Sequence, residues 1–370
     1  MTASAHILYG AEVSYYAGKI RAYFVHKGIP FDERLATRAV FDEVILPRVG
    51  WPVIPVVVTA DGTTLQDTSE MIDWFETRYP LPRIVSGLPG GGAFDRWLEL
   101  LGDEWLKMPA LYYRWTYDRD FAVAEFGRNN DPGHAPAEQA RIGGKIAARF
   151  AGWLAPLGAA GAGGAAIEAG YHEFLGHFDA HLAQWPYLLG TAPTLGDFAF
   201  YGPLYAHLYR DPNSGRVMRE RAPRVCAWVE RLRDGVDAGR GADAVDVLPA
   251  SLVPVLECLA RDYLPVLRAQ TVHAQAALAA HAPGAELPRH FGEQVVTLGR
   301  GTAAMVEVTR AVFSYDQWLL QRVQDAARAA PDPALATLFE AVGAAGLLDL
   351  DTTVRVARRN FKLVRSPGAP

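Results

Sequence analysis

The chain has 370 residues, of which 50% are hydrophobic and 21% are charged. This composition is typical of globular proteins and excludes a largely disordered chain. There are 36 Lys and Arg residues against 41 Asp and Glu residues, giving a net charge of −5. The chain therefore lacks the basic footprint of a nucleic-acid-binding protein, and we expect no nucleic-acid partner. The length favours more than one domain.

The N-terminal segment alternates strand-like and helix-like patterns. Residues 6–9 form a short apolar run that predicts a strand, and the apolar spacing over residues 19–26 predicts a helix that ends at Gly28. Residues 29–33 predict a second strand.

A β-hairpin is predicted further along. Residues 53–59 favour a strand, an Asp-Gly pair at residues 61–62 is a two-residue turn signal, and residues 64–66 resume the strand pattern. Asp67 or Thr68 then caps a helix. The predicted order of the whole segment is β-α-β-loop-β-β-α.

Residues 87–92 have the flexible composition Gly-Leu-Pro-Gly-Gly-Gly. This composition predicts a linker at residues 87–93, which separates a first domain at residues 1–86 from a helical domain at residues 94–239. Within the helical domain, glycine and alanine around residues 157–166 predict a loose connection.

Residues 240–370 are predicted to be a mostly helical extension of unknown role. They carry helical patterns at residues 248–280 and 315–330, with a short alternating segment at residues 293–298 between them. The extension is either a third helical unit or an elaboration packed on the second domain.

Cys226 and Cys258 lie far apart in helix-like sequence, which predicts buried free thiols rather than a disulfide framework or a zinc site. The ten histidines show no paired spacing of a zinc enzyme, so we expect no metal. No leader pattern precedes the first strand, and no segment is long and apolar enough to span a membrane. We therefore expect a cytoplasmic protein.

Pro55 stands inside a strong β run, where it would remove a ladder hydrogen bond. A cis bond between Ile54 and Pro55 reconciles the proline with the strand. In thioredoxin-like folds a cis proline precedes the hairpin and leaves the backbone of the preceding residue free to pair with a peptide ligand. In this chain that residue is Ile54.

Together with Pro55, three segments resemble the cytosolic glutathione S-transferase superfamily over roughly the first 230 residues. They are Ser-Tyr-Tyr-Ala-Gly-Lys-Ile-Arg at 14–21, Gln-Asp-Thr-Ser-Glu-Met-Ile at 66–72, and Tyr-Leu-Leu-Gly-Thr-Ala-Pro-Thr-Leu-Gly-Asp-Phe at 187–198. The resemblance implies an α/β thioredoxin-like domain, then an all-α helical domain of the transferase type with additional helices. It also implies glutathione as co-substrate and a homodimer.

The resemblance assigns glutathione binding to the second of these segments and to the residues around the cis proline. At the start of a helix, a carboxylate, a hydroxyl and free backbone N–H groups meet both charged ends of a peptide. The implied binding residues are Arg48, Ile54, Pro55, Gln66, Asp67 and Thr68. Arg48 would pair with the glycyl carboxylate or be solvated.

Ser14 is the candidate for thiol activation, because a hydroxyl at a helix N-terminus can donate to the glutathione sulfur and favour the thiolate. Tyr15 and Tyr16 are alternatives, since a phenol can make the same donation, and Tyr9 is more remote. The sequence departs from the common family pattern at Tyr15 and Gly18.

Trp105, Met108 and Tyr112 fall on one stripe of the first long helix after the linker and are candidates for the electrophile site or for core positions. Thr194 and Asp197 have capping-box spacing, which is a structural role.

The resemblance implies an enzyme that activates glutathione for conjugation to an apolar electrophile, or for its reduction or isomerisation. A serine at residue 14 favours conjugation over the disulfide exchange that a cysteine would support. The alternative is a non-catalytic binding or scaffolding protein that keeps the fold.

Overall fold

The structure, a computed structural model, describes residues 5–235 and 246–367. The predicted boundary between residues 239 and 240 therefore lies outside the described residues. Strands and helices alternate in the N-terminal part. They are β1 (His6–Gly10), α1 (Tyr15–Lys27), β2 (Phe31–Leu35), α2 (Arg38–Val40), α3 (Leu46–Val49), β3 (Val56–Val58), β4 (Thr64–Gln66) and α4 (Thr68–Glu76), with a π-helical turn at Phe41–Ile45.

The N-terminal sheet has the strand order β2-β1-β3-β4. Strand β1 is parallel to β2 and antiparallel to β3, which is antiparallel to β4. The predicted order of the four strands and of helices α1 and α4 is confirmed, but the segment predicted to be a loop contains α2, α3 and the π-helical turn. The bond between Ile54 and Pro55 is cis, as predicted. Tyr9 pairs with Val56, which in turn pairs with Gln66. The end of β1, the start of β3 and the end of β4 consequently lie at the same edge of the sheet.

Local signals determine where the two main helices of this part begin and end. Helix α1 begins after Ser14 and ends at Gly28, whose φ of 64° is the left-handed conformation that glycine adopts most easily. Helix α4 is capped by Asp67, whose side chain accepts from the backbone N–H groups of Ser69 and Glu70.

Helices follow from residue 93 to residue 234. They are α5 (Ala93–Leu100), α6 (Lys107–Thr116), α7 (Arg119–Asn130), α8 (Pro136–Ala151), α9 (Ala162–His181), α10 (Leu195–Pro203), α11 (Pro212–Arg221) and α12 (Pro223–Asp234), with π-helical turns at Leu101–Trp105 and Leu204–Tyr209. Helix α9 begins inside the stretch predicted to be a loose connection, so that prediction is wrong from Ala162 onwards. Gly164 lowers helix propensity but permits close packing: a Cβ there would lie 2.4 Å from the Tyr112 ring.

The glycine-rich segment at residues 87–92 is packed against the extension. Leu88 is buried within it. Gly90 has a φ of 86°, and a Cβ on it would lie 2.7 Å from the Leu335 side chain. Besides lying between the two predicted domains, this glycine therefore allows a left-handed backbone conformation and a close approach to the side chain of Leu335. The domain division itself stays a prediction.

The extension combines helices with β-hairpins. Its elements are a 3₁₀ turn (Ala250–Leu252), α13 (Val253–Ala280), β5 (His290–Leu298), β6 (Val306–Phe313), α14 (Ser314–Ala329), α15 (Ala334–Ala341), β7 (Val356–Arg359) and β8 (Lys362–Arg365). The alternating segment predicted at residues 293–298 forms part of β5, which pairs with β6. The predicted description of the extension as mostly helical omits this hairpin and the β7–β8 hairpin.

One hydrophobic core runs through all three parts of the chain. It contains Leu8 and Phe24 from the N-terminal part, Trp97 from the helical domain, and Leu256 and Leu320 from the extension. The extension is therefore packed on the rest of the molecule. A separate cluster, which includes Tyr9, Val56 and Val58, covers the other face of the N-terminal sheet, as the two-residue period of a strand requires. Within the described ranges, no helix is both long enough and apolar enough to cross a membrane.

Candidate functional site

Ser14 caps helix α1 at the edge of the sheet where β1 ends. Its Oγ accepts from the backbone N–H of Ala17 at 3.3 Å, and the side chain is partly exposed. In the described ranges the hydroxyl proton has no acceptor. A proton that is free to be donated, at a helix N-terminus, suits the stabilisation of an anion.

Tyr15 and Tyr16 follow Ser14, and their rings are tilted by 41° with centroids 3.9 Å apart. The Tyr16 hydroxyl donates to the backbone carbonyl of Asp103 at 3.2 Å. Burial raises the pKa of both phenols well above the usual range, and the carboxylates of Asp103 and Glu104 raise it further. Both phenols are therefore held protonated, and the Tyr16 proton is already donated to the protein.

Ile54 and Pro55 lie at the same edge, at the start of β3. Pro55 is buried and Ile54 is partly exposed. Within the described ranges, neither backbone group of Ile54 has a protein hydrogen-bond partner. The backbone of Ile54 thus keeps a donor and an acceptor for an extended ligand. Arg48 is exposed and donates to Thr64 Oγ1 at 3.3 Å.

Asp67 and Thr68 lie at the end of β4 and the start of α4. Asp67 has a φ of 80°, and its Oδ1 accepts from the N–H groups of Ser69 at 2.9 Å and Glu70 at 3.3 Å. Its other oxygen, Oδ2, accepts from the Tyr315 hydroxyl at 2.5 Å. Thr68 is buried. Asp67 therefore caps the helix, as predicted, and α14 of the extension lies against the helix start.

Arg358 of β7 is a second residue of the extension at this position. Its Nη2 donates to Gln66 Oε1 at 2.5 Å, and its Nε lies 3.0 Å from Glu70 Oε2. Its Nη1 donates to the Tyr315 hydroxyl at 2.5 Å and lies 4.0 Å from Asp67 Oδ2. Only 3% of its side chain is exposed. Arg358 and Tyr315 were not predicted from the sequence, because neither stands in a motif.

A buried ion cluster lies behind the candidate site. Lys19 Nζ donates to Glu99 Oε1 at 2.8 Å and to Asp103 Oδ2 at 2.6 Å. Ser69, the residue after Thr68, also donates to Glu99, at 2.7 Å. The cluster therefore joins α1 and α4 of the N-terminal part to the first helices of the helical domain.

The three candidates for an electrophile site have different surroundings. Trp105 stacks on Tyr263 of the extension, with ring centroids 4.7 Å apart, and Met108 Sδ is 3.0 Å from Arg310 Nη1. Trp105 and Met108 line one cavity of about 40 Å³, which has room for about one water molecule. Tyr112 instead donates to Glu168 at 2.9 Å.

The remaining sequence predictions concern structural residues. Cys226 and Cys258 are free thiols, and burial raises their pKa to about 11 and about 12. Cys226 is buried as predicted, whereas Cys258 is partly buried. Thr194 and Asp197 form the predicted capping box. The described part of the chain contains no group of three or more His, Cys, Asp or Glu side chains suited to a metal ion.

Comparison with known families identifies both domains. A family model for the glutathione S-transferase N-terminal domain matches residues 8–83, and one for the glutathione S-transferase C-terminal domain matches residues 147–231. Residues 8–83 and 147–231 therefore match the two domains of the glutathione S-transferase superfamily. The fold of the chain is a thioredoxin-like N-terminal domain followed by a helical C-terminal domain of the transferase type, and the extension follows that domain.

Solved structures of glutathione S-transferases are similar to the chain at low identity. One from Rhodospirillum rubrum F11 is 19% identical with a TM-score of 0.41, over 68% of this chain and 91% of its own. One from Methylobacterium radiotolerans JCM 2831, in complex with glutathione sulfonate, is 22% identical with a TM-score of 0.38, over 66% of this chain and 99% of its own. Rice GST1, in complex with glutathione, is 17% identical with a TM-score of 0.37, over 65% of this chain and 92% of its own. No curated protein matches the chain.

Proposed function

We propose that the protein binds glutathione and activates its thiol for conjugation to an apolar electrophile, or for reduction or isomerisation of one. The observation that carries this proposal is the strand register. Because Tyr9 pairs with Val56 and Val56 with Gln66, the loop with Ser14, the cis proline and the start of α4 lie at one edge of the sheet. A tripeptide can reach a strand-like backbone, a helix start and a hydroxyl donor along such an edge.

In this proposal each end of glutathione meets a different segment. The backbone of Ile54, beside Pro55, pairs with the peptide. Thr68, with its N–H and hydroxyl at the start of α4, holds the γ-glutamyl carboxylate, while Asp67 and Gln66 hold the amino group. Arg48 is the candidate for the glycyl carboxylate.

The thiol end of glutathione lies against α1 in this proposal. Ser14 donates to the sulfur, since its proton is not used elsewhere in the described ranges. Trp105, Met108 and Tyr112 are the candidates for contact with the electrophile. We also propose a first domain that ends at residue 86, a linker at residues 87–93 and a helical domain that ends at residue 239. The protein is proposed to be a homodimer and to be located in the cytoplasm.

Glutathione binding is best tested with Thr68→Val. This substitution keeps the size of the side chain and leaves the contacts of Asp67 with its neighbours in place, but it removes one hydrogen bond to a carboxylate. Calorimetric titration of the full-length protein with glutathione should show binding weaker by roughly 10- to 150-fold, because hydrogen bonds to charged groups contribute about 1.5–3 kcal/mol.

Thr77→Val is the matched control, because Thr77 follows the other end of the same helix and donates to the backbone of Trp74. It should leave glutathione affinity unchanged. Equal affinities in the two variants would remove Thr68 from the site. A thiol-transfer assay with a generic aryl halide then distinguishes an enzyme from a non-catalytic binding or scaffolding protein. Glutathione binding without transfer would contradict the enzymatic function and favour the non-catalytic one.

A further inference from the structure

We propose that the β7–β8 hairpin and Tyr315 of the extension close the glutathione site, with Arg358 occupying the place of the amino group of glutathione. This inference rests on the proposed function and adds a means of regulation to the same site. Glutathione and the hairpin would then compete for the same atoms within one molecule.

The acceptor side chains at the helix start already accept hydrogen bonds from the protein itself. Asp67 Oδ1 accepts from two backbone N–H groups of α4, and Oδ2 accepts from Tyr315. Gln66 Oε1 accepts from Arg358, and Gln66 itself is buried. A ligand ammonium group can therefore lie beside Asp67 Oδ2 and Gln66 Oε1 only where Tyr315 and Arg358 withdraw, because the Tyr315 hydroxyl and the Arg358 guanidinium occupy that place.

The same hairpin also reaches the other half of the candidate site. Phe361, at the turn between β7 and β8, packs against the cluster formed by Tyr9, Val56 and Val58, and Ile54 packs against that cluster as well. One hairpin thus places a cation on the helix start and an aromatic ring on the cluster beside the cis proline. An incidental surface contact would not be expected to touch both halves.

Charge explains why an arginine can take this place. The amino group of glutathione and the guanidinium of Arg358 are both cations that donate hydrogen bonds to oxygen acceptors. Arg358 approaches the side chains of Asp67 and Glu70 with two different nitrogens. Two cations cannot occupy the same place together, so the apparent affinity for glutathione is the intrinsic affinity multiplied by the fraction of molecules in which the hairpin is withdrawn.

The base of the β7–β8 hairpin is held to the rest of the extension by contacts that do not involve the candidate glutathione site. Gln321 of α14 donates to the backbone carbonyl of Val356 at 2.8 Å and accepts from its N–H at 2.8 Å. Lys362 pairs with Glu286 at 2.8 Å. Removing the side chain of Arg358 therefore deletes contacts with the site and leaves these attachments in place.

The experiment is a calorimetric titration of the full-length protein with glutathione. Arg358→Ala should bind at least roughly 10-fold more tightly than the wild type, because the competing cation is gone. Arg359→Ala is the matched control: it removes an exposed arginine from the same strand and should leave the affinity unchanged. Tyr315→Phe, which keeps the packed ring and removes only the hydroxyl, should strengthen binding by a few-fold.

Hydrogen exchange of residues 356–365 supplies the second measurement. Glutathione should speed exchange of these amides in the wild type, and Arg358→Ala should speed it without glutathione. Unchanged or weaker binding by both Arg358→Ala and Tyr315→Phe would overturn the closure. Faster exchange in Arg358→Ala with no glutathione binding in any variant would instead overturn the proposed function, and the closure with it.

Discussion

The ammonium group of Lys19 lies 2.6 Å from the carboxylate of Asp103, and the two side chains are 0% and 5% exposed. Lys19 also pairs with Glu99 at 2.8 Å. Lys19 is the nearest cation to both buried carboxylates, since Arg96 and Arg322 lie 3.7 and 3.9 Å from Glu99, and an unpaired buried charge is strongly unfavourable. The cluster links the thioredoxin-like domain to the helical domain.

Lys19→Met should therefore lower the free energy of unfolding by about 3–5 kcal/mol, since it leaves Asp103 without its cation and Glu99 with only the more distant Arg96 and Arg322. Urea unfolding followed by circular dichroism measures the loss. Arg38→Met is the control, because the pair of Arg38 and Asp42 is exposed and contributes little. Equal stability of the two variants would contradict a supporting role for the buried cluster.

Ser14→Ala should raise the pKa of the thiol of bound glutathione by roughly one to two units, because it removes one hydrogen bond to the sulfur. Thiolate absorbance against pH, recorded on the saturated complex, gives this value. Tyr15→Phe and Tyr16→Phe should leave the titration unchanged, since both phenol hydroxyls are buried and that of Tyr16 already donates to the backbone carbonyl of Asp103. A shift in a tyrosine variant alone would transfer the role to that phenol.

Gly164→Ala should destabilise the protein by about 1–3 kcal/mol, because the added Cβ would lie 2.4 Å from the Tyr112 ring. Gly176 lies in the same helix, is exposed, and has nothing within 4 Å of an added Cβ. Gly176→Ala should therefore stabilise by about 0.5–1 kcal/mol through helix propensity. Thermal unfolding of the two variants should move in opposite directions. If both were stabilised, α9 would not be packed closely on Tyr112.

Burial raises the pKa of Asp95 from 3.8 to about 6, although the carboxylate accepts from Ser86 N at 3.1 Å and from Ser86 Oγ at 2.7 Å. The folded state consequently holds this proton more tightly than the unfolded state. The contribution of Asp95 to stability is complete below about pH 4 and is lost as the pH rises through about 6. The change amounts to about 3 kcal/mol at most.

The substitution Asp95→Asn removes the titrating group at this position. The free energy of unfolding of the variant should therefore fall less between about pH 4 and pH 7 than that of the wild type. Urea unfolding across this range measures the difference in slope. Asp42→Asn, at an exposed position, should keep the wild-type slope. Parallel curves for Asp95→Asn and the wild type would show that Asp95 titrates normally in the folded protein.

The N-terminal domain was predictable because its elements are delimited by local signals. Gly28 ends α1, the turn at residues 61–62 joins β3 to β4, and Asp67 caps α4. Each signal acts within a few residues of the element that it delimits. The edge at which the candidate site residues lie follows from the same order of strands.

Residues of the site that come from the extension were not predictable in this way. The partners of Arg358 are Gln66, Asp67 and Glu70, which are far away in the sequence, and the short strand that holds Arg358 carries no motif. Similarly, Gly164 weakens the local helix pattern, while the reason for a helix there is close packing on Tyr112. Long-range packing decided both cases, and local spacing does not encode it.

The order of synthesis separates the site from its closure in time. The thioredoxin-like part is complete in sequence at the end of α4, Glu76, whereas the β7–β8 hairpin ends at Arg365. At about 5–20 residues per second, roughly 15–60 s pass between the synthesis of these two points, and domains generally fold as units from the N-terminus. Each new molecule therefore has its acceptors at Gln66 and Asp67 exposed on the ribosome before Arg358 has been made.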